Sequence, residues 1–440
     1  MNRPATRPLA QPISDSAFGV WLNRECFCLS LDGGALERAL SREIGDAGFV
    51  RELLAARPNL FSQVSVFVSR ADYAAMEAVM QAVEAAARLP RYREAVLGWA
   101  PGIARVEHGT EGVFMGYDFH LSESGPRLIE VNTNAGGAFL NAPLAAASRA
   151  CCKEVEGRYR RPHGDFEAGV IAMFRREWSL ERGEAPLERI AIVDDGPQEQ
   201  YLYPEFVLAR ETFRRHGIDA VICDPAELHF DGAALHAGAA KIDLVYNRLV
   251  DFDLDEPGHG ALSEAYLAGA VVLTPSPRHH ALLADKRNLT LLSSPETMAA
   301  FGLAQEHLAA LAAVPHTQMV TAENADALWQ ARKHLFFKPV AGHGAKAVYR
   351  GEKLTRSVWE MIRAGGYVAQ EAVAPPARSV MLEGQSTPLK FDLRLYTYDG
   401  QVLLAAARVY QGQTTNFRTL GGGFAPVLVF DAAREPEPCP

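Results

Sequence analysis

The stretch 112–132, GVFMGYDFHLSESGPRLIEVN, leaves its backbone few choices. Gly112 to Leu121 alternates at the period of a half-buried strand. Ser-Glu-Ser-Gly at 122–125 is turn chemistry, and Arg127 to Val131 reads as a second strand. The pair is a hairpin. Folding it about position 124 sets Asp118 opposite Glu130, and Asn132 shares the face of Glu130 because side chains alternate along a strand. Two carboxylates directly opposite each other repel. A divalent cation between them would remove that penalty, and magnesium favours oxygen ligands, usually one or two carboxylates plus nucleotide phosphates. Asp118, Glu130 and Asn132 are therefore candidate metal ligands; the bland alternative is the polar outer face of a hairpin.

The rest of the chain frames this hairpin. Residues 35–56 and 70–88 carry helix-favouring Ala, Leu, Glu and Arg, with a strand expected at Val64–Val68. Helices are expected from Ala138 to Lys153 and from Asp165 to Glu181. From Leu187 the pattern becomes strand–helix–strand: IAIVDD, YLYPEFVLARETFRRHG, DAVICD, IDLVYNRL and AYLAGAVVLTP. Strands alternating with helices argue for a parallel sheet of βαβ units. From 285 helical patterns lead into strand HLFFKPV, glycine loop AGHGAKA, strand VYR, helix TRSVWEMIRAG and strand YVAQEAV. Two long strands, 389–398 and 401–411, meet at a Tyr-Asp-Gly turn. The expected units are a mostly helical 1–110, a hairpin-and-helix piece 111–187, a Rossmann-like lobe 188–284, a nucleotide-binding part 285–430 and a tail 431–440.

Composition narrows the class. The chain has 440 residues, 48% apolar and 22% charged, as in soluble globular proteins. A net charge of −9 without a basic, aromatic-interleaved stripe disfavours nucleic acid as a partner. No apolar run reaches bilayer length, so no membrane association is expected. MNRPATRPLAQPISDSAF lacks a hydrophobic signal core, which makes a cytoplasmic location the expectation. Cys26, Cys28, Cys151, Cys152, Cys223 and Cys439 form no CxxC pair and read as reduced, structural thiols.

Lys338 and the loop Gly342-His343-Gly344-Ala345-Lys346 sit between two expected strands. Small residues let backbone N–H groups approach a phosphate, and flexible glycines let a lid close. The loop lacks the GK[ST] of a Walker A motif and opens no helix, so it is not a dinucleotide fingerprint either. Together, FFKPVAGHGAKAV, YVAQEAV, KFDLRLYTYDG and GYDFHL…RLIEVNTNAGG resemble the blocks of the ATP-grasp superfamily of carboxylate–amine ligases, to which glutathione synthetase belongs. In those ligases the metal block comes last. Here it comes first, so the chain resembles a circularly permuted ATP-grasp protein. The line IDLVYNRLVDFDLDEPGHGALSEAYLAGAVVLTPSPRHHALLADK is similar to the permuted family's nucleotide-fold lobe. The resemblance spans about 112–137 and 188–428 and says little of 1–110.

The resemblance implies an α/β (α+β ATP-grasp) fold, with ATP and Mg2+ as cofactors. Lys286 and Lys338 would be the phosphate lysines, and His343, Gly344 and Ala345 the triphosphate lid. Gln370, Glu371, Ala372 and Val373 would form the adenine hinge, with Asp392 and Arg394 on the strand beneath the nucleotide. Arg408, Asn416 and Arg418 would act near the γ-phosphate and acyl phosphate. Asp118, Glu130 and Asn132 would hold the magnesium. The implied reaction joins a small-molecule or peptide carboxylate to an amine by way of an acyl phosphate, and related ligases are often dimers, so a homodimer is one expectation.

Structural alternatives stand beside these roles. Lys286 and Arg287 also suit a solvated helix face, and Asp392–Arg394, two apart on a strand, a structural ion pair. His279-His280 lacks nearby residues at ligand spacing and is expected in a loop. Arg248, at the end of a strand in YNRL, lies where open α/β sheets bind ligands. It suits a bidentate clamp on a substrate carboxylate or an interdomain ion pair. Tyr203 and Glu205 open a helix that would line the same crevice. A phosphotransferase on the same ATP site and a non-catalytic nucleotide- or partner-binding module are the rival functions; a complete metal triad argues against the latter.

Overall fold

The computed structural model describes residues 15–27, 31–148, 159–160, 165–340 and 347–431. Among them three sheets meet around one cavity. The largest is built from distant parts of the chain, in the order Val66–Ser69, Gly423–Phe430, Gln401–Tyr410, Gln385–Tyr398, Met115–Ser122, Gly125–Asn132. Strand Ala377–Leu382 also pairs with Gln385–Tyr398. The expected hairpin thus lies directly against the long C-terminal strand, with Arg394 opposite Asp118.

Period-two burial explains why the hairpin sits there. Tyr117, Phe119, Leu393 and Leu395 turn to a core that includes Met76, Val79, Met80 and Val83 of helix Arg70–Ala87. Each such side chain stabilises by roughly 1.5–3 kcal/mol on burial, against the few tenths expected of exposed ion pairs. The alternate residues, Asp118, His120 and Arg394, face the cavity. Residues of the N-terminal part expected to be mostly helical supply Val66–Ser69 as well, paired in parallel with Val427–Phe430 of the last strand.

Arg189–Val193, Asp219–Cys223, Leu244–Asn247 and Val272–Thr274 form the expected parallel sheet, in the order Val272–Thr274, Leu244–Asn247, Arg189–Val193, Asp219–Cys223. After the second strand the chain crosses to the other side of the first, which makes Val193 and Asn247 the ends of a topological switch point. Phe114, Phe139, Phe174, Phe213 and Tyr246 bind this lobe to Tyr396 and Phe424 of the large sheet in a shared core. The third sheet runs Thr317–Met319, Tyr367–Glu371, Leu335–Pro339, Tyr349–Arg350, all antiparallel. No helix among the described residues is long and apolar enough to cross a membrane.

Two local expectations change. The helix begun at Ala138 ends at Ala147. His279 and His280 lie in a short helix and the π-turn after it, not in an open loop. His279 is buried and His280 half-buried: His279 Nδ1 takes the Ser276 backbone N–H at 2.9 Å, and the His280 ring stacks on Phe252 at 3.7 Å. Burial lowers their pKa values to about 4 and about 3.

Candidate functional site

A cavity of about 500 Å3 opens where the three sheets converge, within the size range of small-molecule sites. Its floor is the large sheet. Asp118 faces Glu130, as the spacing requires, but a bulge achieves it: the register shifts between Asp118 and Phe119, which pairs with Leu128. The bulge also leaves the Ile129 carbonyl available, and Lys338 Nζ donates to it at 3.0 Å. Gly116 keeps the floor low, because a Cβ there would lie 2.5 Å from Ala135 Cβ.

The repulsion expected between Asp118 and Glu130 is answered by cations of the protein. Arg394 grips Asp118 through two bonds, Nε to Oδ1 at 2.6 Å and Nη2 to Oδ2 at 2.7 Å. Arg408 gives Nη2 to Asp118 Oδ2 at 2.8 Å and Nε to Asp392 Oδ1 at 2.6 Å. Thr415 hydroxyl closes the row on Asp392. Burial alone would raise the Asp118 pKa; the two guanidiniums outweigh it and hold the carboxyl far below the usual range. The proposed Asp392–Arg394 pair does not form: each pairs across to a neighbouring strand instead.

The donor set still suits a divalent cation. The Asn132 side-chain nitrogen stands between Asp118 Oδ2 at 3.1 Å and Glu130 Oε1 at 3.4 Å, a donor where a cation would be attracted. Turning that amide over would present three oxygen ligands together. Glu130 has no cation within 4 Å among the described residues, so it is the carboxylate left for a metal or phosphate-bound ion.

Lys286 and Lys338 line the cavity together. Lys338 is buried, which lowers its pKa; Glu130 opposes that shift and Lys286 adds to it. Lys286 therefore does not lie on a solvated helix face, whereas Arg287 turns away onto Asp285. Phe336, Pro339 and Val348 supply apolar wall beside Gln370, whose side-chain nitrogen is buried without a partner. Glu371 is exposed and pairs with Arg127 at 3.3 Å. The N–H groups of Glu371 and Ala372 go to the carbonyls of His316 and His334, while Val373 reaches the cavity and its carbonyl bonds His120 Nδ1 at 3.0 Å. His343, Gly344 and Ala345 lie outside the described residues.

Asn416 and Arg418 are not on the cavity wall; Gln413, Thr414, Thr415 and Phe417 of the same loop are. Asn416 organises the loop, donating to the carbonyls of Gln411 and Thr414 and accepting from the Arg418 N–H.

The opposite end of the cavity is the switch point. Arg248 lines it, is 6% exposed, and donates Nη1 to the Tyr246 hydroxyl at 3.2 Å. Its Nη2 lies 3.6 Å from Glu205, so part of the ion-pair alternative holds, yet its Nε is buried without a partner. Glu205 does not line the cavity. It is fully buried and accepts from the N–H groups of Gly137 and Phe139, capping the helix that starts at Ala138. Tyr203 packs on Phe49 and Phe206 instead. Sequence reasoning passed over Asp194, Tyr201, His120 and Thr415. Asp194 was legible in principle, as the residue that ends a strand at the switch point.

Comparison with protein-family models and with curated protein sequences gave no match. Solved structures do match. A glutathione synthetase-like effector from Globodera pallida, in its apo form, aligns over 91% of this chain and 98% of its own at a TM-score of 0.54 and 11% identity. A structure from Methylobacillus flagellatus bearing the provisional name γ-glutamylcysteine synthetase aligns over 78% and 84%, at 0.43 and 12%. The ATP-grasp ligase PsnB, complexed with a minimal precursor, magnesium and ADP, aligns over 54% and 87%, at 0.28 and 14%. The fold is thus like that of the glutathione synthetase-like effector, an α+β architecture as expected; at this identity the likeness is one of fold.

Proposed function

We propose that the protein is an ATP-dependent ligase that activates a carboxylate as an acyl phosphate and joins it to an amine, and that its ATP-grasp unit is circularly permuted. One observation carries this reading. The hairpin triad, two lysines and two arginines, drawn from both ends of the chain, surround a single cavity.

In the first step an oxygen of the acid bonds to the γ-phosphorus of ATP as the bond to the β,γ-bridging oxygen breaks, giving an acyl phosphate and ADP. The amine nitrogen then bonds to the acyl carbon, phosphate leaves with the C–O electron pair, and the nitrogen gives a proton to solvent. Asp118, Glu130 and Asn132 would hold magnesium, which when bound supplies positive charge to the phosphate oxygens. Lys286 and Lys338 position the triphosphate. Arg408 and Arg394 keep Nη1 uncommitted among the described residues, and both line the cavity. They stand ready for charge that develops on phosphoryl and acyl oxygens. Their carboxylate partners hold them in place in advance, so little reorganisation accompanies the reaction.

The test is stoichiometric. With ATP, magnesium and pooled acids and amines, a ligase releases ADP and phosphate in equal amounts only when both pools are present. Phosphate retained on a product would establish a phosphotransferase instead.

A further inference from the structure

Two loops frame the cavity at its switch-point end. Asp194, Gln200 and Tyr201 line it from the loop that follows strand Arg189–Val193, and Val250 and Phe252 from the segment that follows Leu244–Asn247. A side chain outside the cavity joins the two. His259 is 1% exposed, and both of its ring nitrogens meet carboxylates: Nδ1 lies 2.6 Å from Asp251 and Nε2 2.9 Å from Asp195. An ionised carboxylate accepts and does not donate, so both contacts are hydrogen bonds only when both ring nitrogens carry protons. The bridge therefore belongs to the imidazolium.

The two ends of the bridge are held unequally. Asp251 also accepts the N–H groups of Asp253 and Glu256, at 3.3 and 3.0 Å, and so knots its own loop. Asp195 has a side chain 46% exposed, and the Gln200 amide holds its backbone carbonyl at 2.6 Å. The charges around the ring are acidic. Glu256 brings a carboxylate within 4.8 Å of His259 and Asp195. On the neighbouring turn and helix, Asp224 takes the Gly196 N–H at 2.8 Å, while Glu227 and Glu264 are exposed. No Lys or Arg lies within 4 Å of Asp195 or Asp251 among the described residues.

We propose that protonated His259 is a strap across this mouth of the cavity, holding the two loops together and releasing the Asp195 loop when it gives up its proton. A neutral ring has one N–H. It keeps the shorter bond, to Asp251, and turns a lone pair on Asp195. Burial lowers the His259 pKa, but the hydrogen bonds and charges of Asp195 and Asp251 outweigh burial and raise it above the ordinary 6.5. The strap is thus complete below the ordinary value and is lost as pH rises through the raised, folded one. That places the release in the range where histidine serves as a switch.

Hydrogen–deuterium exchange of the full chain, corrected for intrinsic rates and scaled to strand Gln401–Tyr410, tests the strap. Protection of residues 194–202 is expected to fall about tenfold between about pH 5.5 and about pH 8.5, the worth of one charge-assisted hydrogen bond. Three variants assign the fall. Asp195→Ala, at a half-exposed side chain, and His259→Gln, checked for melting because the ring is buried, should both lack the protection at the lower pH and show no further fall. Asp194→Asn should keep the fall, since Asp194, with a pKa of about 7, ionises in the same window without belonging to the strap. The His259 ring resonance, identified by its loss in His259→Gln, should titrate above the ordinary value. Equal protection of 194–202 at both pH values in the wild type would overturn the proposal. So would a fall that survives in Asp195→Ala, a fall that vanishes in Asp194→Asn, or a ring that titrates below the ordinary value.

Discussion

Replacing Asp118 by Asn and Glu130 by Gln alters two carboxylates that face each other, with opposite consequences. Asp118 is 2% exposed and holds two guanidiniums through three charge-assisted bonds of 2.6–2.8 Å. Asparagine keeps the shape but leaves Arg394 buried with no anionic partner, while Arg408 retains Asp392. Removing one partner of a buried pair costs roughly 3–5 kcal/mol; with Arg408 still matched, about 3 kcal/mol is expected. For a chain of 440 residues, at about 1 °C per kcal/mol, this is a fall in Tm of roughly 3 °C. Glu130 is only half-buried, and among the described residues its one hydrogen bond is a 3.4 Å contact with Asn132. Glu130→Gln should change stability by less than about 0.5 kcal/mol yet weaken ATP binding in magnesium by tenfold or more, about 1.4 kcal/mol. Circular dichroism melts and calorimetric titration read both. An Asp118→Asn protein that melts with wild type, or a Glu130→Gln protein that binds ATP normally, would refute this division of labour.

Two further outcomes follow from the geometry. Gly137 has φ of +107°, and a Cβ there would lie 2.3 Å from Phe424 and 2.8 Å from the Tyr396 hydroxyl, so Gly137→Ala should cost about 2–4 kcal/mol in denaturant unfolding. Asp194 keeps its proton up to about pH 7 in the folded protein, whereas the unfolded chain releases it near the ordinary value of 3.8. The folded state therefore binds more protons between about pH 4 and 7, and stability falls as pH rises through that window. Asp194→Asn removes the fall. Its stability relative to wild type should rise from pH 5 to pH 8 by on the order of 1–3 kcal/mol, while an unchanged difference would place Asp194 in contact with solvent or with a cation.

Local chemistry made much of this legible. The hairpin, the parallel sheet and the YDG turn follow from periods of two and from glycine, which act over a few residues. The seat of Asp118 against Arg394 was not read: the resemblance put both in one site, but cross-sheet pairing over such distance has no local signal. The same limit applies to Arg378, fully buried and donating to the carbonyls of Ser65, Asn23 and Ser379, which ties helix Asp15–Glu25 to the large sheet. Nothing in its neighbours marks it. Tyr203 and Glu205 read as crevice residues because they open a helix after a strand. The rotation of that helix, set by packing on Phe49 and by the N–H groups at Gly137 and Phe139, points them away. His279 and His280 read as polar loop residues, yet satisfied ring nitrogens and aromatic stacking let histidine lie packed and neutral.

The central claim is that one cavity binds ATP through Lys338 and a hairpin-held magnesium ion. Calorimetric titration of ATP into the purified protein, with and without magnesium, tests it most directly. The account predicts one ATP per chain, binding that strengthens with magnesium, and at least a tenfold loss in Lys338→Ala. Absence of heat with ATP under both conditions, or Lys338→Ala binding as tightly as wild type, would contradict it.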